Sequence, residues 1–93
     1  MSTTPWFVYI LRCSDGSYYT GITQDIKKRM KMHNSGNGAK YTKSRTPVVL
    51  EYFETLPSKN SALSREYRIK RLSRKDKILM IRTSDSTHLT DVQ

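Results

Sequence analysis

Tyr9, Tyr19, Arg29, His33 and Glu66 are the side chains whose types and spacing could do chemistry together. Arg29 and His33 stand at positions i and i+4, so on a helix they stack on one face. Arginine offers a planar, permanently charged fork suited to phosphate. Histidine exchanges a proton near neutral pH. Glu66 is the one acid between Lys59 and Lys75, in a stretch that also holds Arg65, Arg68, Lys70, Arg71 and Arg74. A surface built for phosphate avoids carboxylates unless one is needed to hold a metal. One Glu suffices for magnesium when water and phosphate oxygens complete the shell. Each signal also has a plain structural reading. Tyrosines are common in strands, Arg–His pairs are common on solvated helix faces, and a surface ion pair of Glu66 with Arg65 or Lys70 contributes ~0–1 kcal/mol.

The elements must bring these residues together. Trp6–Cys13 is rich in β-branched and aromatic residues and reads as a strand, and Ser17–Thr23 reads as a second. The loop between them decides which side chains share a face. A two-residue Asp15-Gly16 turn pairs Tyr9 with Ile22 and puts Tyr9 and Tyr19 on opposite faces, because side chains alternate along a strand. A three-residue loop, Ser14-Asp15-Gly16, ends in a left-handed Gly with a bulge. It pairs Cys13 with Ser17, Leu11 with Tyr19 and Tyr9 with Gly21, so both tyrosines share a face and Gly21 leaves room beside Tyr9. The three-residue loop is the expectation.

Asp25–Asn34 reads as a helix, capped by Thr23 or Asp25 and stopped by Ser35-Gly36, with Ile26 and Met30 as its apolar stripe. Residues 34–44 read as a loop rich in Gly, Asn and basic residues. A third strand follows over Val48–Thr55. Ser61–Leu72 carries Ala62, Leu63, Tyr67, Ile69 and Leu72 at near-helical spacing. Ser73-x-x-Asp76 resembles a capping box that restarts the chain as a short helix to about Ile81. The expected fold is α+β, a small three-stranded antiparallel sheet flanked by helices in the order ββαβαα. One domain spans 1–82, and 83–93 is a polar, frayed tail.

Composition narrows the partners. The chain has 93 residues, 35% of them hydrophobic, so one domain with a modest core is expected, helped by its six Tyr, two Phe and one Trp. Its 17 Lys and Arg give a net charge of +9, and all of them lie between Arg12 and Arg82. Such an excess is the footprint of a polyanion partner, most commonly nucleic acid. Cys13 is the single cysteine, which excludes an internal disulfide and a Cys-based zinc site. The Phe7–Leu11 apolar run is too short for a signal core or a membrane span. A cytoplasmic monomer without membrane contact is the expectation.

Val8-Tyr9-Ile10 and Tyr19-Thr20-Gly21 resemble the two halves of the GIY-YIG nuclease signature. The family's helical arginine falls on Arg29, its following His or Tyr on His33, and its metal-binding glutamate on Glu66. Pro5-Trp6, Asp15-Gly16, Thr20-Gly21-Ile22-Thr23, His33-Asn34 and Gly38-Ala39-Lys40-Tyr41-Thr42 resemble the small, single-domain bacterial branch of that superfamily. The resemblance runs from about Pro5 to Ile81, and order and spacing make it specific where each short motif is not. Both signature triplets keep their tyrosine but vary its neighbours. Many family members also carry an asparagine beyond the catalytic helix, and none occurs between Ser61 and Gln93.

The resemblance implies hydrolysis of a phosphodiester with a single divalent ion, Mg²⁺ or Mn²⁺, held by Glu66. It makes Tyr9 the candidate general base, Arg29 the group that stabilises charge on the phosphate, and Tyr19 and His33 the residues that position water or phosphate, with His33 as a proton relay. Lys40, Tyr41 and Lys70 are candidate nucleic-acid contacts. DNA is the favoured substrate, and structure-selective or weakly sequence-selective cutting is expected because no second DNA-binding domain accompanies the site. The alternative is a non-catalytic basic DNA- or RNA-binding module on the same scaffold, and a third reading is an adaptor for an acidic protein.

Overall fold

The computed structural model describes residues 4–83. Its elements are β1 (Trp6–Arg12), β2 (Tyr18–Thr23), α1 (Ile26–Asn34), α2 (Lys40–Lys43), β3 (Val49–Leu56), α3 (Lys59–Lys70) and α4 (Arg74–Thr83). The three strands form one antiparallel sheet in the order β2-β1-β3. The class is α+β as expected. The expected order ββαβαα gains one short helix, α2.

The β1–β2 hairpin takes the three-residue loop. The Gly16 N–H reaches the Cys13 carbonyl at 2.9 Å, the Cys13 N–H reaches the Ser17 carbonyl at 2.8 Å, and Gly16 has φ +84°. Only glycine adopts that left-handed backbone without a side-chain penalty. The register pairs Leu11 with Tyr19 and Tyr9 with Gly21, so the two tyrosines share a face.

Alternation along β1 then feeds two cores. Tyr9, Leu11 and Cys13 face Ile26 of α1 together with Val48 and Leu50. Val8 and Ile10 face Ala62 and Ile69 of α3. The central strand is sealed from both sides, with Val8, Ile10 and Leu11 each at 0% exposure.

Helix starts follow their caps. Asp25 caps α1 by accepting from the Lys28 N–H at 3.0 Å, while the Thr23 hydroxyl accepts from the Asp25 N–H at 3.1 Å, so both expected residues take part. Helix α3 begins two residues before the expected Ser61, because Ser58 caps it in a reciprocal box with Ser61. The Ser there stands where the usual box has Glu or Gln, which hid the signal. Ser73 accepts from the Asp76 N–H at 3.1 Å at the start of α4, as expected. Thr83, placed in the tail by sequence, closes α4; the remainder of that segment, 84–93, lies outside the described residues.

Helix α2 corrects the loop expected over 34–44. It is one turn long, too short for any 3.6-residue periodicity to register. Tertiary contacts hold it instead. The Thr42 side chain is fully buried beneath it, and the Arg45 guanidinium lies 4.0 Å over the Tyr41 ring. Arg45 also donates to Asp15 at 3.0 Å and to the Tyr41 carbonyl at 2.7 Å, which staples α2 to the hairpin loop.

The apolar stripe expected on α3 also needs correction. Ala62 and Ile69 are buried, but Leu63 is 43% and Tyr67 61% exposed. Between Ala62 and Ile69 stand two half-buried charged residues, Arg65, which pairs with Glu54 of β3, and Glu66, whose side chain is 18% exposed. Among the described residues, no helix is long and apolar enough to cross a membrane.

Candidate active site

Gly21 lets the site form. A Cβ built on it would stand 2.5 Å from the Tyr9 hydroxyl and 3.0 Å from Cε2 of Tyr19. The Tyr9 phenol therefore lies directly over the backbone of β2, an edge strand, with its hydroxyl carried across the sheet. Gly21→Ala should push the phenol off this seat, breaking its hydrogen bonds and destabilising the fold by ~1–3 kcal/mol as an overpacked contact does. Thermal unfolding and the cleavage rate, measured together, check this. An alanine variant with wild-type values in both would show that the ring needs no such seat.

The Tyr9 hydroxyl is 3.0 Å from Nε2 of His33, and the Arg29 Nε–H donates to it at 3.4 Å. Helix α1 supplies both partners from one face, as their spacing requires. On its far side the His33 ring meets the Thr42 hydroxyl, with Nδ1 at 2.8 Å. Tyr19 packs edge-on against the imidazole at 5.5 Å and stacks with Tyr41 at 6.0 Å. Tyr9, Tyr19, Arg29 and His33 thus form one contiguous cluster.

Burial sets the proton affinities. It pushes the Tyr9 phenol up to about 12, only partly offset by the hydrogen bond from Arg29. Burial also pushes His33 down to about 4, helped by the Arg29 charge. At neutral pH the cluster therefore holds a neutral phenol and a neutral imidazole beside a fixed cation.

The His33 shift has a consequence for stability. The group binds protons at 6.5 in its ordinary state but only at about 4 when folded. Between those values the unfolded chain binds more protons, so acid favours unfolding. The full benefit is present above about pH 6.5 and is lost as pH falls towards 4, on the order of 3 kcal/mol at most. Urea unfolding at a series of pH values should show this loss in the wild type, and His33→Gln should lack that part of it. Parallel pH curves for the two proteins would contradict the assignment.

Glu66 enters from α3, close enough for its charge to contribute to the raised Tyr9 pKa. Its side chain is 18% exposed and pairs with Lys70 at 3.4 Å, a long contact to a lysine that is itself 53% exposed. Among the described residues, no group of three or more His, Cys, Asp or Glu could enclose a metal. Glu66 alone could serve a hard cation that takes one carboxylate and keeps most of its water for phosphate oxygens to replace. Mg²⁺ and Mn²⁺ fit that description, whereas zinc would demand more protein ligands.

The remaining predicted contacts divide. Tyr41 and Lys70 line a cleft of about 250 Å³ with Tyr18, Tyr19, Thr20 and Lys77. Lys40 is exposed at the start of α2 and does not line it. A second cleft of about 370 Å³ is bordered by Trp6, Ile22, Thr23, Gln24, Asp25, Lys28, Arg29 and Met32. The two openings follow one another along β2, on either side of Gly21.

Two residues of the cluster escaped the sequence reading of its chemistry, Thr42 and Gly38. An added Cβ on Gly38 would collide with the His33 ring, so that segment lies directly on the imidazole. Both belong to the Gly38–Thr42 run that marked the family branch, but nothing in residue type connected them to His33.

Comparison with known proteins identifies the family. The model of the GIY-YIG catalytic domain matches residues 5–79. The UPF0213 protein VNG_2274C of Halobacterium salinarum is 57% identical over 70 residues, covering 75% of this chain and 91% of the relative. The UPF0213 protein SERP0126 of Staphylococcus epidermidis is 55% identical over 75 residues, covering 81% and 92%. The solution structure of the UPF0213 protein BH0048 from Bacillus halodurans, 48% identical, superposes with a TM-score of 0.54 over 83% of this chain and 82% of that one. That of EF2693 from E. faecalis, 36% identical, gives 0.60 over 88% of each. The family is nuclease-type, which implies a nucleic-acid substrate. The matched model and these relatives together place this chain in the GIY-YIG nuclease superfamily, in the small single-domain branch of the UPF0213 proteins.

Proposed function

We propose that the protein is a metal-dependent endonuclease that hydrolyses phosphodiester bonds in DNA by a one-metal mechanism, with structure-selective or weak sequence preference. The observation that carries this reading is the buried Tyr9 hydroxyl, held between a neutral His33 and a cationic Arg29 over Gly21, with Glu66 nearby on α3. Glu66 is the residue that would hold a divalent ion, which would supply positive charge to offset the negative charge developing in the transition state.

Tyr9 is the general base. With a pKa of about 12 it is not ionised at rest, so it can take a proton from water only by giving up its own. His33 is the group placed to receive it, at 3.0 Å. The water proton moves to the phenol oxygen, the phenol proton moves to His33 Nε2, and the resulting hydroxide attacks phosphorus as the bond to the 3′ oxygen breaks and that oxygen takes up a proton from solvent. His33 then carries a charge that its resting environment disfavours, and the anionic phosphate offsets this. Arg29 stabilises charge on the phenol oxygen and on the phosphate. Tyr19 positions the attacked group. Tyr41, Lys40 and Lys70 contact the nucleic acid, and the clefts on either side of Gly21 give a strand a path along β2 past Arg29.

The test is incubation of the purified protein with supercoiled plasmid, single-stranded DNA and branched DNA in Mg²⁺, Mn²⁺ or EDTA. Cutting that needs metal supports the reading, and the three substrates rank its shape preference. Binding that falls steeply with salt, without cutting in any metal, would replace it with a non-catalytic binding module.

A further inference from the structure

Thr42 sits outside the proton path just described, yet its hydrogen bonds decide which way that path runs. A hydroxyl has one proton to give and two lone pairs to accept with. The Thr42 hydroxyl has two neighbours, His33 Nδ1 and the Ala39 carbonyl at 3.0 Å, which also accepts the Thr42 and Lys43 N–H groups. The Tyr9 hydroxyl selects between them: Arg29 beside it only donates, so its own proton goes to His33 Nε2, and the Thr42 oxygen then accepts from Nδ1 at 2.8 Å. Nδ1 then carries the hydrogen. A neutral imidazole has one N–H, so Nε2 is left bare, facing the Tyr9 hydroxyl at 3.0 Å. Tyr9 then donates to His33, His33 donates to Thr42, and Thr42 donates to the backbone.

We infer that Thr42 is a positioning residue that locks His33 in the Nδ1–H tautomer, so that Nε2 is free to accept the proton of Tyr9. The inference rests on the proposed hydrolytic role of Tyr9 for its functional meaning, and on the hydrogen-bond partners of Tyr9, His33 and Thr42 for the tautomer.

The opposite tautomer shows why the lock matters. With the hydrogen on Nε2, His33 would donate to the Tyr9 oxygen, which already receives the Arg29 N–H. The phenol would then face two donors, with its proton unplaced and no base to take it. It could neither accept a proton from water nor pass one on. The surroundings keep the lock dry and in place. Thr42 and His33 are both at 0% exposure, so water does not compete for either ring nitrogen. Gly38 lies against the ring with no room for a side chain, and Arg45 ties α2 to the hairpin loop through Asp15. The imidazole is also held neutral, down at about 4, so a single tautomer question governs it over the physiological range.

The experiment measures the His33 tautomer by multiple-bond nitrogen–proton NMR correlations at neutral pH, assigned against His33→Gln, in wild type, Thr42→Val and Thr42→Ser. Valine keeps the shape of threonine without the acceptor, and serine keeps the hydroxyl. Wild type should show the Nδ1–H form. Thr42→Val should lose that preference and cleave ~10²-fold more slowly in kcat with KM little changed. Thr42→Ser should restore both. An Nε2–H wild type overturns the inference, as does a Thr42→Val protein that keeps the Nδ1–H form and the wild-type rate. If Thr42→Val fails to fold, the wild-type tautomer alone decides. A wild type that cuts nothing yet shows Nδ1–H would leave the lock standing and remove the hydrolytic reading.

Discussion

Tyr9→Phe should lower the single-turnover cleavage rate by ~10³-fold, within the range that a lost general base produces. The substitution removes one oxygen and leaves a ring that fills the same space, at a site 2% exposed. The fold should survive. His33 Nε2 loses its buried partner, which costs ~1–2 kcal/mol, and Arg29 turns towards solvent or phosphate. Tyr19→Phe is the internal comparison. Its ring packs against His33 and stacks with Tyr41, and phenylalanine keeps both contacts, so a fall of about tenfold is expected. Single-turnover rates with circular dichroism melting of each protein make the measurement. If Tyr9→Phe cleaved within a few-fold of wild type, the phenol would be a core residue and the proton path would have to start elsewhere.

Glu66→Gln should be the more severe change for catalysis and the milder one for binding. Glutamine keeps the length and shape of a side chain that is mostly covered on the packed face of α3. It lacks the charge that holds a hard cation, and a metal's contribution of several kcal/mol to the transition state corresponds to a loss of ~10³-fold or more. DNA affinity without metal should stay the same or rise slightly, because a negative charge leaves a basic surface and Lys70 loses its pairing partner. Cleavage at increasing Mn²⁺ and fluorescence anisotropy with labelled DNA separate the two effects. A variant that lost binding and cleavage together would make Glu66 structural, a helix-face carboxylate that merely holds Lys70.

Much of this site was readable from local rules. The hairpin register followed from the need of a Ser14-Asp15-Gly16 loop for a left-handed glycine, and with it came the pairing of Tyr9 with Gly21. The i,i+4 relation of Arg29 and His33 followed from helix geometry, and the Asp25 cap fixed where that helix starts. What stayed hidden depended on tertiary contacts. Helix α2 is four residues long and exists because Thr42 is buried and Arg45 clamps it, neither of which any window of sequence contains. The apolar pattern runs the α3 stripe through Leu63 and Tyr67, yet both are exposed and the Glu66 side chain is the more covered, at 18% exposure. A carboxylate on a packed helix face is a local inconsistency of the kind that functional sites carry. The resemblance to the GIY-YIG family pointed to that glutamate, whereas the apolar pattern pointed away from it. Lys40 was grouped with Tyr41 by its place in the motif, but one turn of helix sends the two side chains to different surroundings.

The most direct test of the central claim, that Tyr9 activates water rather than attacking phosphorus itself, is cleavage in isotopically labelled water with mass analysis of both product ends and of the protein. The account predicts one heavy oxygen in the 5′-phosphate of the product and an unmodified protein. A phosphotyrosine adduct at Tyr9 or Tyr19, or a product phosphate free of the label, would contradict it.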